Sequence, residues 1–161
     1  MGDNIRLHYK TDDPRMIRTV RALGALTVSG LQYLLSEIHN KIKLTFSEKL
    51  MELIKEKGKK PAEIYKKADI TKEVFSKIKR NKYYHPTKET ALAFAIALHL
   101  NLKETQDLIG RAGYALSSSI KRDLIVQCFI EAGIYDMYSI NEKLIDYGFE
   151  SLTNKHSALK K

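Results

Sequence analysis

The sequence predicts an all-α protein. Apolar residues recur at helical spacing through almost the whole chain. No stretch combines the two-residue alternation of a strand with turn dipeptides at its ends. The composition is that of a folded protein, since 43% of the 161 residues are hydrophobic, 29% are charged, and only eight Gly and three Pro are present. This length predicts one domain with an appendage.

The first predicted element is a helical segment from Pro14 to about Lys43, within residues 1–44. Its apolar residues recur close to helical spacing, its three arginines lie on another face, and Gly24 and Gly30 are the positions where it can break. An unbroken helix of 30 residues would extend about 45 Å, which is longer than a small domain needs. We therefore predict that this segment pairs with a second copy of the chain or folds back on its own domain. A basic helix lying on a membrane is a third and weaker interpretation.

Capping motifs predict the helices that follow. Thr45 and Glu48 have the T-x-x-E spacing of a capping box, which begins a helix ending near Gly58. A short helix is expected from Pro61 to about Ala68. Proline lacks a backbone N–H, and the first position of a helix does not need one. The hydroxyl of Thr71 can cap the next helix, which ends near Arg80.

Two further helices complete residues 45–114. Thr87 can cap a helix in which small alanines alternate with large apolar residues, and we expect this helix to be buried. Asn101 and Glu104 have N-x-x-E spacing and begin another, which ends near Gly113.

Residues 115–149 are predicted to form two more helices, at about 119–132 and 139–147. The serines at 117–119 are interpreted as a cap for the first, and Ser139 with Glu142 as a capping box for the second. The apolar face of the first helix is predicted to consist of Ile120, Leu124, Ile125, Cys128 and Phe129. Residues 150–161 lose helical periodicity and are predicted to be a flexible tail.

The positive charge lies in the middle of the chain. Residues 41–88 contain 15 Lys and Arg against six Asp and Glu, a balance of +9 that equals the net charge of the whole protein. Such localisation favours a surface that contacts phosphates, and the alternative is a solvated face rich in lysine.

The most basic region also contains two short helices with a tight connection, the outline of a helix-turn-helix. Helical spacing places one set of side chains toward a common core: Ile64, Ala68, Ile70, Phe75 and Ile78. A second set then lies on the opposite, outward face: Lys72, Glu73, Ser76, Lys77 and Arg80. Long donors around a small Ser suit insertion into the major groove of DNA.

The segment from Ile64 to Lys82 resembles the two-helix core of the lambda-repressor-like, or XRE-type, helix-turn-helix family. The stretch from Pro86 to Leu98 is similar to that family's later capped helix, with its Ala-x-Ala-Leu ending. The resemblance covers about residues 46–113. It implies a five-helix lambda-repressor-like domain at residues 45–114, with an N-terminal helical segment before it and two extra C-terminal helices after it.

The resemblance implies sequence-specific binding of double-stranded DNA by a transcriptional regulator, most simply a repressor. It places Lys72, Glu73, Ser76 and Lys77 toward bases, and Arg80 and Lys82 toward phosphates. A homodimer is expected, because such regulators present two recognition helices about 34 Å apart. The predicted DNA-binding residues are Lys60, Thr71, Lys72, Glu73, Ser76, Lys77, Arg80, Lys82 and Tyr83.

The sequence departs from the family pattern, and the departures at Pro61 and at Arg80-Asn81 motivate an alternative function. Asp69 replaces the usual turn Gly, Pro61 replaces a Gln that clamps the DNA backbone, and Arg80-Asn81 replaces Asn-Gly. The alternative is a protein-interaction module, such as an antitoxin-like or phage-encoded inhibitor, whose basic face covers an acidic partner. RNA binding is a weaker option, in which the aromatic run at residues 83–85 stacks on bases.

An enzyme is not expected. The five His show no metal-ligand spacing, Cys128 has no evident base nearby, and no phosphate-binding glycine motif occurs. No cofactor, catalytic residue or metal site is therefore predicted. A single Cys excludes an internal disulfide, and the sequence contains no apolar run of the roughly 20 residues needed to cross a bilayer and no signal-peptide pattern at its start. A cytoplasmic protein that does not contact membranes is the expectation.

Overall fold

A computed structural model describes residues 28–153, together with residues 18 and 21. Residues 28–153 form eight helices and no strands, and residues 18 and 21 are also helical, which confirms the predicted all-α class. In chain order the helices are α1 (Val28–Lys41), α2 (Phe46–Glu56), α3 (Pro61–Lys67), α4 (Lys72–Arg80), α5 (Lys88–Ala97), α6 (Leu102–Gly110), α7 (Lys121–Glu131) and α8 (Met137–Asp146). The chain divides into two compact units, Met1–Lys43 and Leu44–Lys161. None of the described helices has the length and apolar character needed to cross a membrane.

The first unit contains α1. This helix continues through Gly30, so the predicted break at that residue is wrong, whereas Gly24 lies outside the described residues. Its exposed side chains include Leu31, Leu35 and Ile38. Pairing of this segment with a second copy, or its folding back, stays a prediction.

The predicted caps of the second unit are largely confirmed. The Glu48 backbone N–H donates to Thr45 Oγ1 at 3.3 Å, and the Thr45 N–H donates to the Glu48 carboxylate at 2.9 Å. Asn101 and Glu104 form the same reciprocal pair at the start of α6, and Thr87 accepts from a backbone N–H of α5. These contacts satisfy amide groups that a helix start leaves without intrahelical partners.

The buried helix α5 forms the centre of the second unit. Every residue from Ala91 to Ala97 is buried, as predicted. The helix contacts α3, α6 and α8, and its small alanines allow these neighbours to approach closely. The core around α5 also takes large side chains from the flanking helices, including Phe46, Leu50, Ile64, Ile78, Leu108 and Ile140.

The two C-terminal helices begin differently from the prediction. α7 has no side-chain cap, so the interpretation of the serines at 117–119 as a cap is wrong. The Ser117 N–H instead donates to Asp123 Oδ2 at 2.9 Å. α8 begins at an Asp136 cap that accepts from the Ser139 N–H at 2.9 Å, and not at Ser139 with Glu142. A carboxylate at this position also interacts favourably with the positive end of the helix dipole.

The predicted buried face of α7 is partly wrong. Ile125 and Phe129 pack against the core, but the deepest apolar side chains are Val126 and Ile130. Three residues of the predicted face are exposed: Ile120, Leu124 and Cys128. α7 is apolar on two faces, so its periodicity alone does not determine which face is buried.

Two ion pairs join α5 to α7. Lys88 Nζ lies 2.6 Å from the buried Asp123 carboxylate, and Arg122 lies 2.6 Å from Glu89. The carboxylate of Asp123 can be buried because both Lys88 and the Ser117 N–H donate to it. These contacts explain why α7 turns Val126 and Ile130 inward.

The chain remains packed beyond residue 150, where the predicted tail begins. Leu152 and Thr153 are buried, and the Leu152 N–H donates to the Asn141 side chain at 2.8 Å. The Asn141 amide in turn donates to Thr153 Oγ1 at 3.0 Å. Residues 154–161 of the predicted tail lie outside the described residues.

Candidate nucleic-acid interface

The core anchors α3 and α4 through one face of each helix. Ile64, Ala68, Phe75 and Ile78 are buried, and Ile70 packs against them partly buried, which confirms the predicted inward set. The Phe75 ring lies 5.3 Å from that of Tyr65 and 6.1 Å from that of Phe94, measured between centroids. The orientation of α4 is therefore determined by large buried side chains.

A short turn at residues 68–71 connects the two helices. Asp69 adopts the left-handed region with φ of 57°, a conformation that Asp visits more readily than most residues. The Ile70 N–H donates to the Tyr65 carbonyl at 2.9 Å and satisfies a carbonyl at the end of α3. Asp in place of Gly is thus compatible with the turn.

Thr71 begins α4. Its Oγ1 accepts from the Val74 N–H at 3.3 Å, so the predicted cap is confirmed. The side chain is exposed. The hydroxyl oxygen of Thr71 accepts this backbone hydrogen bond, and its hydroxyl hydrogen can still donate to a ligand.

The outward face of α4 is strongly basic. Lys72, Glu73, Lys77 and Arg80 are exposed and Ser76 is partly buried between them. The Arg80 Nε donates to the Ser76 carbonyl at 3.3 Å, so the guanidinium lies along its own helix. In the part of the chain that the structure describes, no ion pair involves Lys72, Lys77 or Arg80. These positive charges are available to an anionic partner.

Lys79 is an exposed cation of α4 that the predicted site omits. At 100° per residue it lies beside Lys72 at the edge of the outward face, next to the buried Phe75. Extending the helical projection to every cation of α4 would have included it.

The loop after α4 is tied to α2 and to its own backbone. Ser47 Oγ donates to the Asn81 carbonyl at 3.3 Å, and the Tyr83 N–H donates to Asn81 Oδ1 at 3.0 Å. Lys82 Nζ lies 4.9 Å from the centroid of the Tyr83 ring, within cation–π range. Asn81 therefore holds in place two predicted site residues, Lys82 and Tyr83.

The charge of Lys82 also acts on α2. The backbone N–H of Thr45 holds the pKa of Glu48 below its usual value, and Lys82 contributes in the same direction. Within the described chain Lys82 forms no ion pair, so its ammonium remains available to a ligand.

The aromatic run at residues 83–85 does not form one continuous surface. Tyr83 is 74% exposed, whereas Tyr84 packs partly buried against the core. His85 lies edge-on to Tyr114, with 5.5 Å between ring centroids. Tyr83 is thus the member of the run best placed to contact a base or a phosphate.

Lys60 is the exposed N-cap residue of α3, and Pro61 follows it at the first helical position as predicted. The neighbouring cations Lys59 and Lys67 lie 3.3 and 3.7 Å from Glu63. The charge close to Lys60 is therefore partly neutralised, in contrast to the outward face of α4.

Among the described residues, no group of three or more His, Cys, Asp or Glu side chains could hold a metal ion.

Comparison of the chain with protein-family models, curated proteins and solved structures found no match.

Proposed function

We propose that the protein binds double-stranded DNA in a sequence-specific manner, with α3, the turn at 68–71 and α4 acting as a helix-turn-helix. The observation that carries this proposal is the row of cations on the outward face of α4 that form no ion pair with any described residue. The opposite face of this helix is packed into the core. A rigid helix with one free basic face has the shape and charge that entry into the major groove requires.

Within this proposal the residues of α4 read bases. Lys72 and Lys77 donate to acceptors on guanine edges, and the Glu73 carboxylate accepts from cytosine N4. Ser76, small and partly buried, lets the helix backbone approach the groove floor.

The residues around α4 hold the DNA backbone. Arg80, the last residue of α4, and Lys82 in the following loop bind phosphates, while Lys60 and the Thr71 hydroxyl bind phosphates before this helix. Tyr83, fixed beside Lys82, adds a hydroxyl donor. These contacts set the position of the helix on the duplex and carry no sequence information of their own.

The biological role that follows is regulation of transcription, most simply as a repressor that occupies its site as a homodimer. Two copies related by a two-fold axis would read a palindromic site, one half-site each.

Selection from random duplex DNA tests the proposal. The full chain is incubated with a random pool at about 50 and 200 mM salt, where phosphate contacts predict a steep loss of binding, and the retained DNA is sequenced. The variant K72A/K77A is run beside the charge-matched control K57A/K103A, which removes two exposed lysines outside α4. Enrichment of a palindrome by wild type and control, and its loss in K72A/K77A, is the expected result. Retention without any enriched sequence would contradict it and would favour the protein-interaction alternative.

A further inference from the structure

The outer face of α7 is an apolar stripe that the fold leaves uncovered. Ile120, at the helix start, is 49% exposed, Leu124 is 37% exposed, and Cys128 is exposed. These residues are four apart and therefore lie on one side of the helix. The core takes the other side through Val126 and Ile130.

The two ends of the stripe carry opposite charges. Lys121 lies at the first turn of α7 and Glu131 at its end, and both are exposed. Lys121 Nζ lies 4.6 Å from the centroid of the Tyr147 ring, and Glu131 accepts from Gln127 at 3.0 Å. Neither residue forms an ion pair with any side chain in the described ranges.

The geometry points to a second copy of this chain as the occupant of the stripe, with the two α7 helices antiparallel about a two-fold axis level with residue 126. In this arrangement a residue that lies a given number of positions before 126 in one copy faces the residue that lies the same number of positions after 126 in the other copy. Lys121 then faces Glu131 of the partner subunit, and Leu124 faces Cys128 of the partner subunit. One register thus pairs the opposite charges and covers the apolar side chains, so the stripe is complementary to itself, as a two-fold interface requires.

This inference goes beyond the proposed DNA binding and does not depend on it. It also assigns self-association to a different element from the N-terminal segment suggested by the sequence.

Charge reversal followed by restoration tests the inference on the full chain without DNA. The dimer dissociation constant is measured by sedimentation equilibrium for wild type, K121E, E131K, the double variant K121E/E131K, and the control K103E, which reverses an exposed lysine on α6. Each single reversal alters two symmetry-related contacts and should weaken dimerisation by about tenfold, since a tenfold change corresponds to about 1.4 kcal/mol. The double variant should regain most of the wild-type affinity, and K103E should match wild type.

A second experiment tests the register. In L124C the new thiol faces Cys128 of the partner subunit, so mild oxidation should give a covalent dimer, whereas K103C and wild type should remain mainly monomeric on a non-reducing gel.

Circular dichroism of every variant verifies that it is folded. A wild-type chain that remains monomeric overturns the inference, as does a dimer whose affinity is the same in K121E and E131K; that second outcome would place self-association on another surface. If the wild-type chain dimerises through α7 but enriches no DNA sequence in the selection experiment, only the proposed function is contradicted.

Discussion

At the scale of single residues, the proposal separates side chains that read bases from those that hold the DNA backbone. Lys72 is the first residue of α4, and Lys79 lies about two turns later, in the last turn of the same helix. We predict that K72A lowers discrimination at one base pair of the site by about 1–3 kcal/mol, because a base-edge contact is lost. K79A should weaken all sequences alike. Binding to a set of single-base variants of the selected site measures both, and equal loss at every position for K72A would contradict a base-reading role.

A second residue-scale prediction concerns His99, which lies outside the proposed interface. Its backbone is left-handed, with φ of 54°, and its ring stacks on Tyr135 at 4.7 Å between centroids. Burial lowers the pKa of His99, and the positive charges of Lys67, Lys57 and Lys59 add to this effect.

The folded protein therefore favours neutral His99. The unfolded chain, with a His pKa near the ordinary value of about 6.5, binds a proton more readily. His99 contributes its full stability above that pH and loses it as the pH falls toward the lower pKa of the folded state. We predict that stability to urea falls as the pH drops below about 6.5, and that the fall is smaller in H99N, because Asn also tolerates a left-handed backbone but does not titrate in this range. Identical pH profiles for the two proteins would exclude this contribution.

At the scale of elements, the ion pair between Lys88 and Asp123 connects the start of α5 to α7. Lys88 Nζ lies 2.6 Å from the Asp123 carboxylate, and the two side chains are only 20% and 5% exposed. We predict that D123A costs about 1–3 kcal/mol of stability, because the Ser117 N–H and the ammonium both lose an acceptor.

A double-mutant cycle isolates the pair. The free energies of unfolding of D123A, K88M and the double variant are measured by urea denaturation, and the double variant should lose less than the sum of the single changes. The exposed pair Lys143 with Asp146 provides the control, since K143A should change stability by less than about 1 kcal/mol. Strict additivity of D123A and K88M would show that the contact contributes nothing.

The elements also show how far local sequence determines this fold. The starts of α2, α4, α5 and α6 follow from motifs contained within four residues, because the cap and its backbone partners are neighbours in the chain. The rotation of α7 does not follow in this way. Both of its faces carry apolar residues, and Asp123 is held by Lys88 from 35 positions earlier, a contact that periodicity does not contain.

In the candidate site, too, local sequence determines some features, and others depend on tertiary contacts. Helical projection correctly separated the buried Phe75 and Ile78 from the exposed Lys72 and Lys77, since a rigid helix has a known period. It did not predict the separate positions of the three aromatic residues after α4. Those positions depend on tertiary contacts, such as the packing of His85 on Tyr114.

At the scale of the whole molecule, the positive charge is concentrated in residues 41–88, whereas the core takes buried side chains from these residues and from those that follow them. Residues 41–88 carry the entire net charge, whereas residues 89–161 have eight basic and nine acidic residues and supply the buried helix α5 and both C-terminal helices. A basic surface near one helix pair and a nearly neutral remainder would direct an anionic polymer to one side of the protein.

The central claim is that DNA binds at α4 and the loop after it, and not at positive charge in general. The most direct test is the slope of log K against log salt for the selected duplex, which reports how many phosphate-bound cations the complex uses. The slope is measured for wild type, for K77A/K82A, and for the charge-matched K57A/K103A. Because each phosphate-contacting cation contributes about 0.9 to the slope, we expect a decrease of about 1 in K77A/K82A, which loses the phosphate contact of Lys82, and no change in K57A/K103A. Equal slopes for the two variants would contradict the claim.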